Sequence, residues 1–229
     1  MKRSITRLTF AATLLAAPFA HAVSVAPGTT AALPGTTAAA EGNLAGLIVA
    51  DVLTPFSING INSNTGGAVD ITGTVQNRVV KSVDGTYDFY WRVIVDATSS
   101  EAIGSFRIGD FGAPTADYNV NYRVDGLGTL GPDAVHRFTN ATPGAVASFY
   151  NFVFSNGLAP GSESNFMFMD TDALNYGLTA VYDLANIGQN PISAQFAAFG
   201  PAAVPVPAAL PLLLSGLATL GWRRRQTSA

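Results

Sequence analysis

The segment from Asp170 to Asn175 carries the densest group of side chains that could do chemistry. Asp170, Asp172 and Asn175 place oxygen atoms at the short spacing with which a calcium-binding loop begins. Calcium takes roughly six to eight oxygen ligands, from carboxylates, amides and backbone carbonyls. The segment lacks the glycine and the distal glutamate of such a loop, and Asp and Asn side chains also stabilise turns. These three residues are therefore a candidate calcium site or, alternatively, a turn that ends a strand.

The chain contains few of the residues that zinc sites and catalytic triads use. The chain contains two histidines and no cysteine, and His21 lies in an N-terminal segment that we expect to be removed. A zinc site uses several His or Cys ligands, and a catalytic triad would have to use His136. No G-x-S-x-G pattern is present. We therefore expect no zinc centre and no cofactor, and we expect His136 to lie on a strand surface.

Two other patterns could act on or bind sugars. Paired carboxylates are the acid–base groups of glycosidases, and Asp88, Asp96 and Asp125 lie on or near aromatic strands, where alternation predicts that they face solvent. Five aromatic residues could form a platform for sugar rings, although aromatics at a period of two are more typical of a core: Tyr90, Trp91, Tyr118, Tyr122 and Tyr150.

Residues 126–131 read G-x-G-x-x-G, the pattern of a dinucleotide-binding loop. Such a loop needs a strand before it and a helix after it. Pro132 and Asp133 follow directly, and no helical pattern succeeds them. The sequence therefore favours a glycine-rich loop between strands.

The elements that must position these residues are β-strands. Residues 87–96 form an aromatic and β-branched run, and residues 117–125 alternate strictly between apolar and polar side chains, which predicts a strand with one solvent-facing side. Clusters of Gly, Pro, Asn and Asp separate the remaining candidate strands, which are 44–53, 69–75, 78–83, 102–111, 146–154, 164–169, 178–182 and 192–199. About ten short strands predict an all-β fold, an antiparallel β-sandwich or jelly roll, with an up-and-down barrel as the alternative.

Residues 23–43 differ in composition from the predicted strands. The hexapeptide PGTTAA occurs at 27–32 and again at 34–39. A Pro/Gly/Thr/Ala-rich segment of this length predicts either a flexible lead-in or a first edge strand. The domain organisation that follows is a lead-in at 23–43 and a β-sandwich domain at 44–203.

Both ends of the chain carry targeting signals. Lys2, Arg3 and Arg7 precede an apolar stretch at 8–17, and Ala20 and Ala22 supply the small residues that signal peptidase reads. Residues 1–22 are therefore predicted to be a secretory signal peptide, cleaved after Ala22.

The C-terminal end combines a motif, an apolar segment and a basic cluster within residues 204–229. The motif is Val204, Pro205, Val206, Pro207 and Ala208, and the apolar segment runs to Trp222. Its length is marginal for a membrane span, which needs roughly 20 residues. Arg223, Arg224 and Arg225 then form a cytoplasmic stop-transfer cluster.

This order of features resembles the PEP-CTERM sorting signals of bacterial surface proteins, and most closely their VPLPA variant. The resemblance implies that an exosortase-type membrane protease cuts at the motif while the chain is anchored in the inner membrane, and that the protein then reaches the cell surface or the extracellular space. The family's Pro-Glu-Pro core would have Glu where this chain has Val206, which leaves the sortase class open, as it leaves open whether the helix is cleaved or retained.

The net charge of the exported part limits the classes of partner that it is expected to bind. The whole chain has a formal net charge of −3, with 12 basic and 15 acidic residues. Removing both ends removes half of the basic residues and none of the acidic ones, so residues 23–203 are strongly acidic. We therefore expect no nucleic-acid partner. The sequence predicts a non-enzymatic protein with a structural or adhesive role at the cell surface or in an exopolysaccharide matrix; a carbohydrate-binding module and a secreted hydrolase are the alternatives.

Overall fold

A computed structural model describes residues 21–111, 118–138 and 149–203. The described residues form twelve strands and one short 3-10 helix at Gly42–Leu44. The strands are β1 (Val23–Ser24), β2 (Thr30–Ala32), β3 (Gly46–Ile61), β4 (Ala68–Ser82), β5 (Tyr87–Val95), β6 (Ile103–Gly109), β7 (Asn119–Arg123), β8 (Ala134–Arg137), β9 (Tyr150–Leu158), β10 (Phe166–Asp170), β11 (Tyr176–Asn186) and β12 (Phe196–Pro201).

The strands form two six-stranded sheets. The first, sheet A, has the order β1-β7-β10-β5-β4-β3, and the second, sheet B, has the order β12-β11-β6-β9-β8-β2. All neighbouring strands within each sheet are antiparallel. The predicted all-β sandwich class is therefore confirmed.

The main core lies between the two sheets. Trp91 of sheet A packs against Phe106 of sheet B, with ring centroids 5.9 Å apart, and both side chains are completely buried. Phe106 in turn stacks on Tyr182 at 5.4 Å. Large aromatic side chains bury much apolar area each, so this layer supplies most of the hydrophobic stabilisation.

The predicted strands 69–75 and 78–83 are one strand. β4 continues through Gln76 and Asn77, which pair with β3 on one side and with β5 on the other. The polar side chain of Gln76 is buried but satisfied: its amide donates to Asp51 at 2.8 Å and accepts from Arg92 at 3.1 Å. A polar interruption in the sequence therefore did not interrupt the strand.

The sequence predicted that Asn121 on β7 and Asp88 on β5 face solvent. Both predictions are wrong. Both side chains are completely buried. The segment between β2 and β3 explains Asn121, since the backbone N–H of Gly35 donates to the Asn121 side chain at 3.0 Å. Residues 23–43 thus supply two edge strands and cover part of the sheets.

The outer face of sheet A also buries apolar side chains. A second cluster, the outer-face cluster, consists of Leu44, Val80, Tyr90, Phe166 and Phe168. It explains why residues 166–169 are an unbroken apolar run: Phe166 and Phe168 point outward, while Met167 and Met169 point into the main core. Such runs are expected for strands buried on both faces.

Candidate functional site

The outer-face cluster borders a recess, the outer groove, with a volume of about 610 Å³. Its lining includes Leu44, Arg78, Tyr90, Arg123, Leu127 and Phe166. These side chains come from β4, β5, β7 and β10 and from the loops beside them. Ligand pockets in proteins are typically about 300–1,000 Å³, so the outer groove is large enough for a small ligand.

Ion pairs surround the outer groove. The Arg123 Nε donates to Asp125 at 2.5 Å, and Arg78 Nη2 donates to Asp51 at 2.7 Å. The guanidinium of Arg78 lies over the Phe166 ring, 4.5 Å from its centroid. Each arginine is therefore held in one orientation by a carboxylate, and the Arg78 contact adds a cation–π attraction.

Tyr90 forms part of the wall of the outer groove and is 3 % exposed. Burial raises the pKa of its hydroxyl, and the nearby Asp88 acts in the same direction. The hydroxyl is therefore protonated at neutral pH and can donate a hydrogen bond. Its neighbour is the guanidinium of Arg123, which has donors only.

A second recess, the acidic pocket, has a volume of about 470 Å³. Asp84, Asp170 and Asp172 line it, together with Asn43 and Asn119. Asn43 Nδ2 donates to Asp170 at 2.8 Å. Hydrogen bonds from Thr86 lower the pKa of Asp84, which therefore stays ionised.

Behind this pocket lies a pair of carboxyl groups. Asp88 accepts a hydrogen bond from the Thr171 N–H at 3.2 Å, and Asp170 lies on the neighbouring strand β10. Burial, together with the charge of Asp170, raises the pKa of Asp88 to about 8.

The predicted calcium ligands are only partly brought together. Asp170 and Asp172 share the acidic pocket, but the Asn175 side chain donates to the Ala203 carbonyl at 2.9 Å, beside the end of β12. Among the described residues, no group of three or more His, Cys, Asp or Glu side chains is arranged to hold a metal ion. The calcium site stays a prediction that rests on Asp170 and Asp172.

The predicted aromatic platform is not exposed. Tyr90, Trp91, Tyr118 and Tyr150 are buried and Tyr122 is half-buried. His136 lies on β8, where its Nδ1 is 2.6 Å from the Thr30 hydroxyl. Residues 126–131 connect β7 to β8, as expected for a loop between strands.

Most targeting residues lie outside the described residues. This applies to Ala20, to the motif Val204, Pro205, Val206, Pro207 and Ala208, and to Arg223, Arg224 and Arg225. Ala22 is described and is half-buried against the outer-face cluster. In the described part of the chain, no helix has the length and apolar character needed to cross a membrane.

Neither the outer groove nor the acidic pocket could be located from the sequence, because each is built from elements far apart in the chain. Only the unbroken apolar run at 166–169 signalled that both faces of sheet A are covered. A scan against protein-family models, a search of curated proteins and a search of solved structures found no match to this chain.

Proposed function

We propose that this chain is an exported β-sandwich protein with a structural or adhesive role at the cell surface or in an exopolysaccharide matrix. The observation that carries the proposal is the outer groove, a ligand-sized recess on the outer face of sheet A, lined by both apolar and charged side chains. The recess lies on an outward face, where an extended partner can reach it.

The route of export follows from the two ends of the sequence. Signal peptidase would cut after Ala22, so that the exported chain begins at Val23, the first residue of β1. The C-terminal segment would anchor the chain in the inner membrane until an exosortase-type protease acts at residues 204–208. Arg223, Arg224 and Arg225 would hold the tail on the cytoplasmic side.

Mass spectrometry of the protein from its native host tests this route. We expect a mature chain that begins at Val23 and ends within or near residues 204–208. A variant with Arg223, Arg224 and Arg225 replaced by Ser should accumulate with its tail unprocessed. A native chain that retains Ala229 would overturn the sorting proposal.

The second candidate function is that of a carbohydrate-binding module, and the outer groove favours it as well. Affinity electrophoresis in gels that contain the host's exopolysaccharide measures both functions. Retardation of residues 23–203, relative to a gel without polysaccharide, is the expected result. Equal mobility in the two gels would contradict an adhesive role towards this polymer.

A further inference from the structure

The acidic pocket lies on the outer face of sheet A, at the end where β5 begins and β10 ends. Phe89 and Met169 pair with each other and point into the main core. Because side chains alternate along a strand, Asp88 and Asp170 beside them lie on the outer face. The register between β10 and β7 then places Asn119 opposite Asp170. Strands that are far apart in the sequence thus bring carboxylate and amide groups to one recess.

The pocket carries an unbalanced negative charge. Asp84, Asp170 and Asp172 line it, and no arginine or lysine is among the described residues that do so. Asp84 and Asp170 accept hydrogen bonds from neutral side chains, those of Thr86 and Asn43. Within the described part of the chain, the exposed Asp172 carboxylate makes no hydrogen bond and no ion pair. The pocket is therefore open to a cation from outside the protein.

Asp88 is an independent sign that this face lacks a cation. Its side chain is completely buried, and its Oδ2 has no hydrogen-bond partner within the described residues. Its Oδ1 accepts from the N–H of Thr171, which lines the pocket beside Asp170. The charges of Asp170 and Asp84 both act on the Asp88 carboxyl group. A cation in the pocket would offset this repulsion.

The geometry favours an organic cation over a metal ion. Among the described residues, no three or more His, Cys, Asp or Glu side chains are arranged to hold a metal ion. The volume of about 470 Å³ lies within the range of about 300–1,000 Å³ that is typical of pockets for small organic ligands. Asn43, Asn119 and Thr86 add amide and hydroxyl groups to the lining, and such groups form hydrogen bonds with hydroxyl groups. A ligand with an ammonium group among several hydroxyl groups matches this lining.

We propose that the acidic pocket binds the ammonium group of an amino-sugar unit in a polysaccharide. The ammonium group pairs with Asp172, the carboxylate without a partner, and the charges of Asp84 and Asp170 strengthen the attraction. Sugar hydroxyl groups bond to Asn43 and Asn119. Residues 23–203 are strongly acidic as a whole, which also favours a polymer that carries many ammonium groups. This inference rests on the proposed function, because it names the charge of the polymer, but the pocket is separate from the outer groove.

Titration calorimetry with glucosamine oligomers, and with fully N-acetylated oligomers of the same length, tests the inference. At about pH 6 the free amino groups are protonated, whereas N-acetylation removes the charge and keeps the hydroxyl groups. We expect the free-amine oligomers to bind more tightly than the acetylated ones and to lose affinity when salt is raised. Asp172→Asn should weaken binding about two- to fivefold, the range of one exposed ion pair. Adding Asp84→Asn should weaken it further.

Asp70→Asn is the matched control for these variants. Asp70 is an exposed carboxylate that does not line the pocket, so this variant loses the same charge and should bind as the parent does. Thermal melting of each variant shows whether it is folded.

Four results would overturn the inference. The acetylated oligomers bind as tightly as the free-amine oligomers; Asp172→Asn and Asp70→Asn lose affinity equally, as attraction by net charge alone would give; calcium binds to the pocket and displaces the oligomer; or a lysine oligomer binds more tightly than the glucosamine oligomer.

Affinity electrophoresis separates this failure from failure of the proposed function. If the host's exopolysaccharide retains both the parent and the variant with Asp84→Asn and Asp172→Asn, the adhesive role stands and the pocket is rejected. If the parent binds glucosamine oligomers but is not retained by the exopolysaccharide, the pocket stands and the adhesive role is rejected.

Discussion

Asp88 on β5 and Asp170 on β10 lie next to Phe89 and Met169, which pair across these two neighbouring antiparallel strands, and the charge of Asp170 acts on the buried Asp88 carboxyl group. Burial, and then the like charge of Asp170, disfavour the ionised form of Asp88, so the pair holds a proton. Asp88 Oδ2 illustrates this: within the described residues it has no donor when both groups are ionised. Protonation of Asp88 removes the buried charge and its repulsion with Asp170.

Stability should therefore fall as the pH rises through the neutral range. The pKa of Asp88 is raised from 3.8 to about 8 in the folded protein. Between these values the folded state binds more protons than the unfolded state, so this stabilisation is complete below 3.8 and is lost as the pH approaches 8. Denaturant unfolding at about pH 5, 7 and 9 should show a loss of at most about 1.4 kcal/mol per pH unit.

Asp88→Asn should flatten this pH dependence and raise the free energy of unfolding above neutral pH. The amide can accept from the Thr171 N–H through its oxygen and donate to Asp170 through its nitrogen, with no charge to desolvate. Asp70→Asn is the control, since Asp70 is exposed, and it should retain the parental slope. If Asp88→Asn loses stability with pH as steeply as the parent does, Asp88 is not the titrating group.

Phe106 should be among the most costly positions to truncate. It is completely buried and contacts aromatic rings of both sheets, including Trp91 and Tyr182. Phe106→Ala removes these contacts and leaves a cavity, which should cost about 3–5 kcal/mol. Urea unfolding of residues 23–203 measures the change, with Trp91 as the fluorescent reporter.

The control for Phe106 is Val83→Ala, because Val83 lies in a turn and is 72 % exposed. We expect it to change stability by less than about 0.5 kcal/mol. Equal losses in the two variants would contradict the core that the sheets form around Phe106.

Gly128 should not tolerate alanine. Its φ is +95°, and an added Cβ would lie 1.9 Å from the Ser164 carbonyl oxygen, which would force the backbone apart. Gly85→Ala is a matched control: its φ is +94°, but no atom lies within 4 Å of the added Cβ. Gly85→Ala should therefore cost about 1 kcal/mol from backbone strain alone, and Gly128→Ala clearly more. Thermal unfolding compares the two, and similar midpoints would contradict the close packing of the 126–131 loop on Ser164.

The sequence predicted the fold class because alternation and turn residues are local signals. The predicted strand at 87–96 matches β5, and the loop at 126–131 lies between strands as expected. The environments of Asp88 and Asn121 were not predictable in the same way. Alternation indicates which residues share a face of a strand, but it does not show whether another segment covers that face.

The outer groove could not be predicted from the sequence for the same reason. Tyr90 and Phe166 are 76 positions apart in the sequence, and only the pairing of β5 with β10 brings them together, with ring centroids 6.3 Å apart. The oxygen-rich segment at 170–175 was a local pattern and was therefore visible, but whether it binds calcium depends on ligands that the chain contributes from elsewhere.

The edge strand β3 should make the protein prone to self-association. Among the described strands, β3 pairs only with β4. It spans 16 residues, and Leu47 and Leu53 on it are 70 % and 61 % exposed. A long apolar edge offers unpaired backbone groups to another chain, and lysine on the edge opposes such pairing. Leu47→Lys with Leu53→Lys should therefore raise the concentration at which light scattering detects aggregates, with little change in the unfolding midpoint. Leu174→Lys with Leu178→Lys adds the same charge outside β3, at positions that are 69 % and 66 % exposed, and should change scattering much less. An equal effect would show that net charge, and not β3, governs solubility.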